Sequence, residues 1–141
     1  YRKKYRENPD EVNFAQKNFP SVMKDQSTPR AMNDLLSMIF TKQILDEKSG
    51  QYIIDVMLKC QTGNNRIKGD LPRGVRVAHK TGTIGGTVND VGIIYLPEDL
   101  GHVVLTVFSK AMEEKTSEVE EAIAQISRFV YDYFYFTSEH K

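Results

Sequence analysis

Apolar residues recur at three- and four-residue spacing in two stretches between residues 28 and 62, the pattern of helices that bury one face. The first stretch follows Thr28 and Pro29. Because threonine can cap free N–H groups and proline suits the first helical turn, we predict a helix from there to about Lys42. The second helix is predicted to begin at about Ser49 and to end at Gly63.

The last helical pattern opens at about residue 116, where Ser117 and Glu120 are spaced as a capping box. We predict one continuous core face, formed by Val119, Ile123, Ile126, Val130 and Phe134. Aromatic residues are frequent along the same segment, and beside a sheet we expect core packing rather than a binding face. These residues are Phe129, Tyr131, Tyr133, Tyr135 and Phe136.

Three runs between the second and last helices predict strands, at about 75–81, 88–96 and 102–109. The connections are too short for a crossover helix, so consecutive strands should pair antiparallel as a meander. We predict an α+β fold of two layers, in which the meander packs against the helices. The chain is expected to form one partial domain with a loop region at 1–27, a helical part at 28–73, and the sheet with the last helix at 74–141.

The composition of the 141 residues indicates a globular domain without a strong electric field of either sign. Basic and acidic residues both number 19, which argues against nucleic acid or an anionic membrane as a partner. The apolar runs are too short for a transmembrane segment. Cys60 stands alone and the histidines are scattered, so we expect no disulfide, metal or cofactor. His79 should point to the sheet face opposite that of the next residue.

The candidate for ligand chemistry is the stretch 80–83, at the end of the first predicted strand. Lys80 would supply a fixed positive charge and Thr81 a hydroxyl donor, while Gly82 would let a ligand lie against the backbone. The N–H of Thr83 would then be free to donate. Arg66 lies in a loop, where its guanidinium could bind a carboxylate bidentately. These residues predict a site for an anionic substrate.

Four local patterns, taken in order and spacing, resemble the C-terminal half of a class A serine β-lactamase or a penicillin-binding-protein-like relative. The resemblance covers about Asp25 to the end of the last helix. The patterns are Ser27-Thr28-Pro29-Arg30-Ala31-Met32, then Gln61-Thr62-Gly63-Asn64-Asn65-Arg66-Ile67 with Gly69-Asp70-Leu71-Pro72, then Val77-Ala78-His79-Lys80-Thr81-Gly82-Thr83, and finally Asn89-Asp90-Val91-Gly92-Ile93-Ile94.

The resemblance implies a role for each matching residue. Lys80 and Thr81 match the residues that hold the substrate carboxylate, and Thr83 matches the position whose backbone N–H completes the oxyanion hole. Arg66 matches an arginine that holds the same carboxylate in some members, and Asp25 matches the aspartate that closes the loop beside the active site. Taken from the residues alone, Asp25 could instead cap the helix entry, and Arg66 could be a solvated loop charge.

The chain also departs from the family pattern. The Ser-x-x-Lys nucleophile and the Ser-Asp-Asn motif do not precede the loop; Ser21 and Lys24 have the first spacing but lie inside the stretch that resembles the loop. We expect the nucleophile to lie outside this chain, in an N-terminal portion of the same fold, a cleaved partner or a swapped protomer. The loop glutamate that activates the deacylating water has no clean copy, and Glu7 and Glu11 are the candidates.

The expected function is that of a serine β-lactamase-like hydrolase, which hydrolyses β-lactam amides through an acyl-enzyme, with this chain alone inactive. The alternative is a penicillin-binding relative or a non-catalytic module for peptidoglycan-like or carboxylate ligands. The resemblance implies an extracytoplasmic location, either periplasmic or secreted.

Overall fold

The computed structural model describes residues 26–110 and 112–138, which form three helices and a three-stranded sheet. The helices are α1 (Pro29–Phe40), α2 (Glu47–Leu58) and α3 (Thr116–Ser138). The strands are β1 (Val77–Ile84), β2 (Thr87–Tyr95) and β3 (His102–Val107). They pair antiparallel in the order β1-β2-β3. The predicted α+β class and the meander are confirmed.

The starts of the first two helices follow from their capping residues. Thr28 caps α1 as predicted, and its hydroxyl accepts a hydrogen bond from the N–H of Ala31 at 3.1 Å. Helix α2 begins two residues before the predicted Ser49, because the carboxylate of Asp46 accepts from the Ser49 N–H at 3.0 Å. The hydrogen bonds from Ser49 lower the pKa of Asp46.

Helices cover both faces of the sheet, giving three layers where the sequence pattern predicted two. Helix α3 packs on one face, over a cluster that includes Ile67, Ile94 and Ile123. Helices α1 and α2 pack on the other face, over a cluster that includes Ile54 and Ile93. Strand β2 lies between the two cores, which explains why nearly all of its residues are buried.

The core face of α3 differs from the predicted one. Its buried residues are Val119, Ile123, Ala124, Ser127 and Tyr131. Two residues assigned to the core face, Ile126 and Phe134, are 43% and 41% exposed. Phe129, Tyr133 and Phe136 are also exposed, so core packing is wrong for these three aromatic residues within the described chain. The hydrophobic pattern missed this face because the polar Ser127 lies in the middle of it, where its hydroxyl donates to the carbonyl of Ile67 at 2.8 Å.

The predicted capping box of α3 is also wrong. The helix begins at Thr116, so Ser117 lies inside its first turn rather than at the cap. The carboxylate of Glu120 accepts a hydrogen bond from Arg66 instead. Within the described ranges, no helix has the length and apolarity needed to cross a membrane.

Candidate functional site

Strand β1 forms one edge of the sheet and carries the residues singled out for ligand chemistry. Lys80, Gly82 and Thr83 are exposed, and Thr81 is half-buried. Side chains alternate along a strand, so Lys80 points to the α1 and α2 face and Thr81 to the α3 face. His79 is fully buried on the face opposite Lys80, as predicted.

The hydrogen-bond pattern of β2 shows which main-chain groups of β1 face outward. The main-chain N–H of Val88 donates to the Ser109 hydroxyl at 2.7 Å, and the main-chain carbonyl of Val88 accepts from it at 2.8 Å. Both main-chain groups of Val88 therefore point to the β3 side of the strand. The partner of Val88 in register on β1 is Thr83, which therefore forms a non-hydrogen-bonded pair with Val88. The N–H and C=O of Thr83 point away from β2, toward the open edge of the sheet. The same alternation directs the main-chain groups of Thr81 to this edge.

Lys80 supplies the positive charge at this edge. Its ammonium donates to the carbonyl oxygen of Thr81, which keeps the side chain along the strand. Among the residues that the structure describes, the ion pairs involve other cations, and none neutralises Lys80. An anion at this edge would therefore meet an uncompensated cation beside outward-facing main-chain donors.

The turn after α2 passes directly against Thr81. The hydroxyls of Thr62 and Thr81 are hydrogen-bonded at 2.6 Å. Gly63 adopts a φ of 71°, and a Cβ at this position would lie 2.4 Å from the Thr81 Cγ2 atom. Only glycine gives this turn both the left-handed backbone and the space that the threonine needs. The turn thus fixes the orientation of the Thr81 hydroxyl.

Arg66 is buried behind the edge, with only 5% of its surface exposed. Its Nε donates to Glu120 at 3.0 Å, and Nη1 donates to the carbonyls of Gly82 and Asn89 at 3.2 and 2.8 Å. Its Nη2 donates to the hydroxyl of Thr83 at 2.6 Å. All three nitrogens are therefore bonded to protein acceptors. A bidentate contact between this guanidinium and a ligand carboxylate would require breaking some of these bonds. The burial of Arg66 also excludes the alternative interpretation that it is a solvated loop charge.

The structure brings Lys80, Thr81, Gly82, Thr83 and Arg66 together at one edge of the sheet. Asp25, Glu7 and Glu11 lie outside the described residues, as does the Ser21 and Lys24 pair. The described ranges contain no group of histidine, cysteine, aspartate and glutamate side chains that could hold a metal ion.

Sequence reasoning missed two residues of this arrangement. The sequence pattern assigned Glu120 to a helix cap. It gave no indication that Glu120 pairs with Arg66, which lies 54 residues earlier in the chain. Thr62 belongs to one of the motif segments, but its contact with Thr81 depends on how the turn folds back on β1. Neither pair is visible without the tertiary structure.

A family model described as the Beta-lactamase enzyme family matches residues 4–134 of the chain. The chain belongs to this family. The match covers the open β1 edge, the turn with Arg66 and most of α3.

Individual relatives support this membership. The chain is similar to the β-lactamase VEB-1 of Pseudomonas aeruginosa, with 36% identity over 127 residues, covering 84% of this chain and 42% of the relative. It is also similar to the carbapenem-hydrolyzing β-lactamase KPC of Klebsiella oxytoca, with 32% identity over 77% of this chain and 38% of the relative. The chain therefore spans less than half the length of these relatives.

Solved structures agree with the fold. The extended-spectrum β-lactamase TLA-1 aligns with a TM-score of 0.72 at 37% identity, covering 77% of this chain and 42% of the TLA-1 chain. A class A β-lactamase from Bacteroides cellulosilyticus aligns with a TM-score of 0.71 at 30% identity. The sheet and helices of this chain are thus part of the class A β-lactamase fold, as the resemblance implied.

Proposed function

We propose that this chain provides the carboxylate-binding and oxyanion-binding wall of a serine β-lactamase-like hydrolase. The observation that supports this best is the open edge of β1. There an exposed Lys80, which forms no ion pair with the described residues, stands beside the outward-facing main-chain groups of Thr81 and Thr83. Family membership gives this edge its chemical context.

Each group at the edge has a distinct proposed role. The Lys80 ammonium and the Thr81 hydroxyl bind the carboxylate of a β-lactam or peptidoglycan-like substrate. The Thr83 N–H donates to the oxygen that becomes negative when the amide carbonyl is attacked. Gly82 has no Cβ, which lets the substrate lie flat against the strand. The chemistry requires no cofactor or metal in this proposal.

Arg66 acts indirectly in the proposed site. Its Nη2 donates to the Thr83 hydroxyl, so that hydroxyl directs its own hydrogen away from Arg66. The charge of Arg66 is balanced by Glu120, and its effect on a bound carboxylate is transmitted through the oriented hydroxyl. The direct bidentate contact expected from the sequence would require Arg66 to give up hydrogen bonds to the protein.

The nucleophile is proposed to come from another segment. No Ser-x-x-Lys pattern occurs in residues 26–110 or 112–138, and the relatives are more than twice as long as the matched part. An N-terminal portion of the same fold or a swapped protomer would complete the site. Asp25 as the residue that closes the loop, Glu7 or Glu11 as the loop base, and an extracytoplasmic location remain proposals that rest on the family resemblance.

Turnover of a chromogenic β-lactam by the full-length protein tests this function. Lys80→Ala should lower catalytic efficiency by about 10- to 100-fold, because a charge-assisted hydrogen bond contributes about 1.5–3 kcal/mol. Lys48→Ala, an exposed lysine on α2, is the matched control and should leave turnover unchanged. Equal efficiency in the Lys80→Ala variant and the unmodified protein would refute the assignment of the edge.

A penicillin-binding or non-catalytic carboxylate-binding relative is the second candidate. It is favoured by the retention of a complete anion-binding edge in residues that carry no recognisable nucleophile motif. Mass spectrometry after incubation with the β-lactam separates the candidates. Turnover supports the hydrolase, a lasting covalent adduct supports a penicillin-binding protein, and reversible binding alone supports the module.

A further inference from the structure

A fully buried polar pair lies behind the open edge of β1. His79 and Asp90 both have 0% of their surface exposed. The Nδ1 atom of His79 lies 3.0 Å from each carboxylate oxygen of Asp90. Both contacts are within hydrogen-bond distance, and the imidazole tautomer that carries its hydrogen on Nδ1 donates it to this carboxylate. The Nε2 atom is buried and has no hydrogen-bond partner among the described residues. Within that part of the chain, the imidazole ring therefore hydrogen-bonds to Asp90 alone.

The same carboxylate also holds the turn that carries Arg66. The N–H of Ile67 donates to Asp90 at 3.2 Å, and the carbonyl of Ile67 accepts from the Ser127 hydroxyl at 2.8 Å. The main-chain groups of Ile67 are therefore fixed from the sheet on one side and from α3 on the other. Ile67 directly follows Arg66, so fixing the peptide groups of Ile67 also fixes the main chain from which the Arg66 side chain extends.

The sheet is shaped to receive the imidazole. Gly92 is the residue opposite His79 in the register of β1 and β2. A Cβ at Gly92 would lie 2.8 Å from the His79 Cβ and 2.7 Å from the carbonyl oxygen of Ala78. Both distances are too short for any side chain, so the glycine is required for this packing. The space for the buried His79 side chain therefore depends on a glycine at the position opposite it in the sheet.

The pair also connects the two parts of the proposed wall. His79 precedes Lys80 on β1, and Asp90 is the partner of Thr81 across the strands. Through Ile67, the same carboxylate reaches the turn of Arg66. Hydrogen bonds are directional, whereas apolar contacts of the same volume would allow the turn and the strand to slide relative to each other.

We propose that His79 and Asp90 are positioning residues for the anion-binding edge. They hold the Arg66 turn and the 80–83 stretch at a fixed relative placement, so that the Arg66 guanidinium meets the Thr83 hydroxyl. The identity of the bound anion rests on the proposed function. The mutual placement of turn and strand does not, and it can be measured without any substrate.

Two substitutions of His79 separate a positioning role from a merely structural one. His79→Leu removes the donor at similar volume, whereas His79→Asn keeps an N–H donor near the position of Nδ1. Ile54→Val is the control, because it perturbs the core on the opposite face of the sheet. Hydrogen exchange of the Arg66 Nε–H and of the 80–83 amides is followed by NMR in the full-length protein without ligand.

We expect exchange of the Arg66 Nε–H to be at least about 10-fold faster in His79→Leu, with His79→Asn near the unmodified protein and Ile54→Val unchanged. Uniform acceleration of all amides, or equal rates in the Leu and Asn variants, would overturn the proposal. If His79→Leu does not fold, the unmodified protein decides: the imidazole ¹⁵N spectrum must show a protonated Nδ1, and a deprotonated Nδ1 refutes the pair.

Activity gives a second, separable readout. With a chromogenic β-lactam as the probe, His79→Leu should raise KM by at least about threefold while kcat changes less, and His79→Asn should restore KM. Absence of turnover in the unmodified protein would contradict the proposed function but leave the exchange experiment to judge the positioning role.

Discussion

The buried guanidinium of Arg66 allows a quantitative test of how the site is held together. Its side chain is 6% exposed and that of its partner Glu120 is 18% exposed, with Nε and the carboxylate oxygen 3.0 Å apart. Removing one partner of a buried ion pair typically costs about 3–5 kcal/mol, because the other charge is left buried and unpaired. Arg66→Ala also strips a charged donor from two carbonyls and the Thr83 hydroxyl.

We therefore expect Arg66→Ala to lower the free energy of unfolding by about 3–5 kcal/mol. With a urea dependence of about 2 kcal/mol per molar, typical of small domains, the midpoint of unfolding should fall by about 2 M. Glu120→Gln keeps a hydrogen-bond acceptor but leaves the buried charge of Arg66 without its countercharge, so its loss should also be about 3–5 kcal/mol. Far-UV circular dichroism during urea titration of the full-length protein measures both changes.

The same helix offers a matched control. Arg128 forms an ion pair with Asp132 at 2.8 Å, but their side chains are 45% and 32% exposed. An exposed pair of this kind is screened by solvent and contributes little to stability, so Arg128→Ala should move the midpoint far less. If Arg66→Ala and Arg128→Ala lower stability by amounts within about 1 kcal/mol of each other, the buried network does not have the energetic role assigned to it.

Two further predictions concern a glycine and a histidine. Gly63→Ala should destabilise the fold by at least about 1 kcal/mol more than Gly74→Ala, because both have positive φ but only the first places a Cβ against Thr81; equal urea midpoints would contradict this. His102 is exposed at one side, and desolvation where its ring packs against Phe40 lowers its pKa below the usual 6.5. The unfolded state then binds the proton first as pH falls, so the free energy of unfolding should decrease from about pH 6.5 downward. His102→Gln should reduce this decrease between pH 7.5 and 5.5, and an unchanged pH dependence would refute the cause.

Local chemistry made several parts of the structure predictable from the sequence. The Thr28 cap and the apolar spacing after it place α1 because capping and amphipathicity act within a few residues. The short connections between strands leave only an antiparallel meander, which the structure shows. The direction of the Lys80 and His79 side chains to opposite faces follows from the alternation along any strand.

Errors arose where residues distant in the chain decide the environment. The core face of α3 was misplaced because Ser127 is buried by a hydrogen bond to Ile67, a contact across 60 residues that a hydropathy pattern counts as polar. The start of α2 was misplaced for a different reason. Asp46 caps the helix through a local hydrogen bond to Ser49, and the prediction chose Ser49, a neighbouring residue that can also cap a helix.

The sequence by itself determined the class of the fold, the strand that carries Lys80 and Thr81, and the family that this strand resembles, because these depend on local periodicity and on a short motif. Only the tertiary structure decided that Arg66 is buried with its guanidinium bonded to protein acceptors, and that Glu120 is its partner. The physical reason is that the burial and charge balance of a side chain are set by residues that the fold, not the chain order, brings within hydrogen-bonding distance.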